Sequence, residues 1–146
     1  MAQKTPQNFA NHAKLVPGFH FIATGLLFFF AFWVIRQFIG QMGWETGATA
    51  ALAISVILIG FYARGFANQN QDRIIRLEER LRMQDVLPED LRSRIPEFTT
   101  SQLVGLRFAP DEELPALARR VLDEGIDDRK AIKKAIVNWR ADHHRI

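Results

Sequence analysis

Two stretches of the chain carry almost no polar side chains, and the rest follows a helical period. From Phe19 to Ile35 no residue is charged, and the run FHFIATGLLFFFAFWVI is crowded with phenylalanine. Extended to Ile39, with Arg36 reaching to the boundary, the stretch covers residues 19–39, close to the roughly 20 residues a helix needs to cross about 30 Å of hydrocarbon. A second apolar stretch, GATAALAISVILIGFYA, starts at Gly47 and extends to residue 66. A buried soluble helix of such length and apolarity needs far more protein around it than 146 residues supply. The pattern therefore predicts an all-α fold: a transmembrane helical hairpin over residues 18–67, followed by a short helical tail.

The two stretches differ in texture. Gly47, Ala48, Ala50, Ala51, Ala53, Ser55 and Gly60 are small and let helix backbones approach closely. The Ala-rich start of the second span is expected against the first. Phe28, Phe29, Phe32 and Trp33 are expected to meet lipid or a partner protein. Residues 40–46 form the turn, with Trp44 at the interface. Ala48-Thr49-Ala50 has the spacing of a signal-cleavage site, but the apolar core is too long and Arg36 intervenes, so the segment reads as retained. The turn carries no Lys or Arg, whereas Lys4 and Lys14 precede the first span and Arg64, Arg73, Arg76, Arg80 and Arg82 follow the second. That bias places both termini in the cytoplasm, with residues 1–17 as a cytoplasmic segment.

After the second span the period becomes helical and charged. In QDRIIRLEERLR, Ile74, Leu77 and Leu81 fall at i, i+3 and i+7, and Asp72–Arg76 and Glu78–Arg82 are spaced as i, i+4 ion pairs. No Pro or Gly after Gly65 interrupts this stretch, so the helix is expected to run on from the second span as an amphipathic juxtamembrane helix over residues 68–86. Its apolar stripe is expected to pack on the rest of the tail; docking on another protein is the alternative. Arg64, Arg73 and Arg76 are placed to meet anionic headgroups. Residues 87–146 read as a small helical domain. Pro88 and Glu89-Asp90 open one helix, which Pro96 ends. Thr99 to Gln102 cap another. Pro110 to Glu113 open a third, which Gly125 closes. Asp127-Asp128 open the last, whose Ala131, Ile132, Ala135, Ile136 and Trp139 share a face.

Charge and composition narrow the chemistry. From Arg64 onward 16 Lys and Arg face 15 Asp and Glu, so the net charge of +3 describes no polycationic surface and nucleic acid is not predicted as a partner. The chain has no cysteine, which excludes disulfides, thiolate catalysis and Cys-ligated zinc. No Gly-rich phosphate loop, Ser-His-Asp set or metal-spaced acid cluster occurs, and the chain reads as no enzyme. His20, near the cytoplasmic end of the first span, is the one intramembrane ionisable side chain with cofactor chemistry, as a ligand for haem iron or chlorophyll magnesium. A hydrogen-bonded interfacial histidine is the commoner reading, so no cofactor is predicted. His143-His144 beside Asp142 form at most an adventitious metal site. The basic face Arg129, Lys130, Lys133 and Lys134 beside Trp139 reads as a solvated face or a partner contact.

The motifs at Pro6–His12, QDRIIRLEERLR, LRFAPDEELPAL and KKAIVNW, spread over nearly the whole chain, resemble a family of small bacterial membrane proteins of unknown function. The resemblance implies the two-span layout and a bacterial inner-membrane location, and carries no activity. With the Phe-rich span and the polar segment MAQKTPQNFANHAK, which stays ordered only when tied down, these readings converge on a non-catalytic accessory subunit. It would brace a larger membrane complex, with respiratory or photosynthetic assemblies as plausible hosts. The rival is a homo-oligomeric membrane scaffold that recruits a soluble partner through the tail.

Overall fold

The computed structural model of the protein describes residues 8–9 and 16–142. Among these residues every regular element is helical. The chain divides into two compact units, Leu15–Asn68 and a second built from Gln69–Ile146 with Met1–Lys14.

The first unit is a helical hairpin. Pro17 opens it, where a missing N–H costs nothing. A wide π-helical turn, Gly18–Ala23, leads into α1, Thr24–Gly40. The Thr24 N–H reaches the Phe19 carbonyl, and the Thr24 hydroxyl donates to that oxygen at 2.8 Å. α1 stops at Gly40, where Gln41 turns to φ −143°. The next helix, α2, begins at Trp44, three residues before the apolar run at Gly47. The early start has a local cause. Thr46 Oγ1 accepts from the Gly43 N–H at 3.1 Å and lies 2.8 Å from the Gln41 carbonyl, stitching the turn closed. Ala31 and Val34 on α1 and Ala53 on α2 are the buried apolar residues of this unit. A Cβ at Gly47 would lie 3.4 Å from the Phe38 ring, ordinary van der Waals contact. The small-residue start of the second apolar stretch thus lies against the end of the first. Both helices, Gly18–Gly40 and Trp44–Val86, are long and apolar enough to cross a membrane.

α2 is one helix from Trp44 to Val86. Its last residues belong to the second unit, with α3 (Glu89–Arg92), a 3₁₀ turn (Ile95–Glu97), α4 (Thr100–Leu106), α5 (Leu114–Asp123) and α6 (Arg129–Ala135). Met83, Leu87, Leu91, Phe98, Leu103, Leu106, Phe108, Leu114, Val121 and Ile132 form a single core. Sequence punctuation explains most of the helix ends. Thr99 and Gln102 form a reciprocal capping box, with the Gln102 N–H on Thr99 Oγ1 at 3.1 Å and the Thr99 N–H on Gln102 Oε1 at 2.9 Å. The Gln102 amide also donates to the Ile126 carbonyl at 3.2 Å, tying α4 to the loop before α6. Gly125 takes φ +62°, and the Ile126 N–H bonds the Val121 carbonyl at 3.0 Å, so α5 ends in a Schellman turn. α4 and α6 approach so closely that a Cβ at Gly105 would fall 2.9 Å from Ile132 Cγ2.

The last helix is shorter than its apolar spacing predicts. It ends at Ala135, and Ile136 is extended at ψ 124°. The Glu113 carboxylate takes the N–H groups of Val137 and Asn138 at 2.9 and 3.1 Å, and the Arg140 N–H reaches the Phe108 carbonyl at 2.8 Å. Residues 136–140 satisfy backbone donors through a distant side chain and loop, which a continued helix would forgo.

Candidate interaction site

The C-terminal part of α2 has two apolar stripes, and the buried one is not the stripe that the i, i+3, i+7 spacing selects. Ile74, Leu77 and Leu81 are 57%, 63% and 55% exposed. Ile75, Glu79 and Met83, at i, i+4 and i+8, face the core and are 6%, 6% and 0% exposed. The expectation that the first stripe packs on the tail is therefore corrected. The buried stripe was hard to see because an acid stands at its centre and Arg82 beside it. Burying Glu79 requires cations from elsewhere, and the fold supplies them. Arg82 Nη1 pairs with Glu79 Oε2 at 3.0 Å, and Arg140 Nη1 lies 3.5 Å from Glu79 Oε1. Arg82 also grips Asp111 Oδ1 through Nε at 2.8 Å and donates to the Ala109 carbonyl at 2.7 Å. Arg107 pairs with Asp142 at 3.2 Å.

Glu79, Arg82, Arg107, Arg140 and Asp142 line a cavity of about 370 Å³ with Ile75, Glu78 and Ala141. Burial pushes the Glu79 carboxyl above its ordinary 4.5, and the charges of Arg82, Arg140 and Arg107 oppose that rise. The lining carries three arginines against three carboxylates, so it has no surplus charge with which to attract an ion. Its chemistry is that of a balanced network joining α2, the loop after α4 and the segment after α6. Among the described residues no three His, Asp or Glu side chains gather as metal ligands. The i, i+4 pairs expected on α2 do not form. Asp72 pairs with Arg129 at 2.9 Å, and Arg82 takes Glu79 and Asp111 rather than Glu78.

The residues singled out for partner or lipid contact separate into two groups. Phe28, Phe29, Phe32 and Trp33 are exposed on α1, and Arg64, Arg73 and Arg76 are exposed on α2. Trp139 is half-buried and stacks on Phe108 with ring centroids 4.8 Å apart, so much of its surface is spent on the core. Lys133 Nζ and the Arg107 guanidinium flank that same Phe108 ring at 5.0 and 4.4 Å. At the other end of the chain, Lys134 Nζ lies 5.8 Å from the Phe9 ring. His143 and His144 lie outside the described residues.

His20 has a local role. Its Nδ1 lies 3.1 Å from the Val16 N–H and 3.0 Å from the Val16 carbonyl. That carbonyl already accepts from the Phe19 and His20 N–H groups, whereas the Val16 N–H is a donor at a helix start. Either tautomer satisfies one of these two Val16 groups, so the ring is held to the helix start by its Nδ1 edge.

A single family covers all of this architecture, matching residues 1–146. The chain belongs to DUF6526, a family of unknown function. No curated protein and no solved structure matches it.

Proposed function

We propose that the protein is a membrane-anchored, non-catalytic accessory subunit of a larger bacterial inner-membrane assembly, with both chain ends in the cytoplasm. The supporting observation is the bareness of its apolar helices. Only 11% of the most apolar window of the first helix and 6% of that of α2 is buried inside the protein. A soluble core helix is buried by its own chain. Here Phe28, Phe29, Phe32 and Trp33 are left for lipid or another subunit to cover. The Lys and Arg that flank the hairpin, and their absence from its turn, set the direction of insertion. Beyond the membrane, the tail carries its own core and leaves Ile74, Leu77 and Leu81 uncovered.

Purification in mild detergent, followed by native electrophoresis, mass spectrometry and an absorption spectrum, tests this reading. A large band with heterologous membrane subunits in fixed ratio is the expected result. A Soret or chlorophyll band in it would mark a respiratory or photosynthetic host, and loss of that band in His20→Ala would assign the ligand. A small band holding this chain alone overturns the accessory role.

A further inference from the structure

The uncovered stripe of α2 has a defined charge frame. With Ile74 at heptad position a, Leu77 is d, Leu81 is a and Gln84 is d. The core-facing residues Ile75, Glu79 and Met83 then occupy b, f and c, on the opposite side of the helix, so one helix serves the tail core and keeps a second seam free. The positions flanking the seam are Arg73 and Arg80 at g, and Glu78 and Asp85 at e. In a parallel two-stranded coil, each g residue faces the e residue of the following heptad on the other helix. Arg73 would face Glu78 of a second copy, and Arg80 would face Asp85. Both crossings join opposite charges. An antiparallel arrangement would set g against g and e against e, which is arginine against arginine and acid against acid.

Among the described residues the fold leaves these charges without ion-pair partners: Arg73, Glu78 and Asp85 form none within the chain, although Asp72, Glu79 and Arg82 all do. Arg80 Nε is buried without a hydrogen-bond partner. We propose that residues 73–85 form a parallel coiled coil with a second copy of this chain. Two heptads are a short seam for free helices in water. Two copies confined to one membrane meet at a much higher effective concentration, and insertion in the same sense makes their emergent helices parallel. That contribution rests on the anchored reading above. The charge frame stands without it.

The chain has no cysteine, so a single introduced one reports without background. The full-length Leu77→Cys variant, oxidised in isolated membranes, is expected to give a disulfide-linked dimer. Arg76→Cys, exposed but off the seam, is expected to give none. In the Leu77→Cys background, Arg73→Glu should reduce the dimer several-fold, as should Glu78→Arg. The two together should restore it, because the opposite charges are then exchanged. Restoration separates a charge pair from attraction of Arg73 to anionic lipid. Absence of dimer from Leu77→Cys, equal dimer from Arg76→Cys, or failure of the double exchange to restore it overturns the proposal. Alkaline extraction of the same membranes reports anchoring separately. A chain that stays in the membrane without cross-linking overturns the coil and leaves the anchor standing. A chain that is extracted overturns the anchor, and the disulfide assay still decides the coil.

Discussion

The hairpin and the tail are both helical and are held together in opposite ways. In the hairpin, Ala31, Val34 and Ala53 are the buried apolar residues, while aromatic side chains up to the size of Trp33 stand exposed. Its helices close their own backbone hydrogen bonds and leave most of their apolar surface for the surroundings to cover. The tail inverts this. Its helices after α2 run from 4 to 10 residues, too short to persist alone, and they exist because Leu91, Phe98, Leu103, Phe108 and Val121 share a core. Backbone closure therefore carries one region and side-chain packing the other. Substitutions should discriminate between them.

The largest separation is expected from Phe108→Ala. Removing a fully buried ring that also supports Trp139 should cost the tail about 3–5 kcal/mol. Thermal unfolding followed by tryptophan fluorescence should show the loss, while the hairpin helices keep their circular dichroism signal. Gly105→Ala comes next. The added methyl meets Cγ2 and Cβ of Ile132, close to the backbone of α6, and neither can swing aside. Overpacking of this kind should cost about 1–3 kcal/mol in the same melt. Gly125→Ala forces an L side chain into a left-handed turn, at about 1 kcal/mol.

The pH response sharpens the contrast further. Burial raises the folded Glu79 carboxyl above 4.5, so its contribution to stability is fully present below 4.5 and is lost as pH rises through the folded value. Asp90 acts in the opposite sense. The hydrogen bond from Arg119 holds it below 3.8, so what it contributes is lost only as pH falls below that value. Glu79→Gln should therefore flatten the dependence of the tail's melting temperature on pH above 4.5. An unchanged slope would mean that Glu79 stays ionised throughout. The smallest effect is expected from Phe29→Ala, which should move the tail's midpoint by less than about 0.5 kcal/mol. A larger shift would show that the two regions share stability.

How much of this was legible in the sequence follows the same division. Helix ends set by local chemistry could be read directly. Thr99 to Gln102 announced a cap, Gly125 announced a stop, and the absence of Pro or Gly after Gly65 announced that α2 runs on. The turn is shorter than the polar run 40–46 suggests because the Thr46 hydroxyl stitches it closed. Features made by distant residues were not legible. Glu79 looks like a surface acid until Arg140 is brought to it, and Asp72 looks paired with Arg76 until Arg129 arrives. Spacing alone points to the wrong face of α2 for the same reason. Ile74, Leu77 and Leu81 make the more apolar stripe, and the residues that cover the stripe through Glu79 are brought to it only by the fold. The clue was available in the i, i+4, i+8 spacing of Ile75, Glu79 and Met83, an acid on an otherwise apolar row. Trp139 does share the core side with Ile132 and Ile136, as their spacing suggests, but not by a continued helix: Glu113 ends that helix and the ring packs on Phe108 from the extended segment beyond it.

The position of Arg140 in the chain also orders events at the ribosome. Glu79 is synthesised well before the arginine that helps to neutralise it, and Phe108 well before the tryptophan that covers it. At about 5–20 residues per second, Glu79 waits several seconds for Arg140. By then both apolar helices have left the ribosome. The hairpin is thus complete in the chain before the tail can close, and the tail closes only when its final strap is delivered.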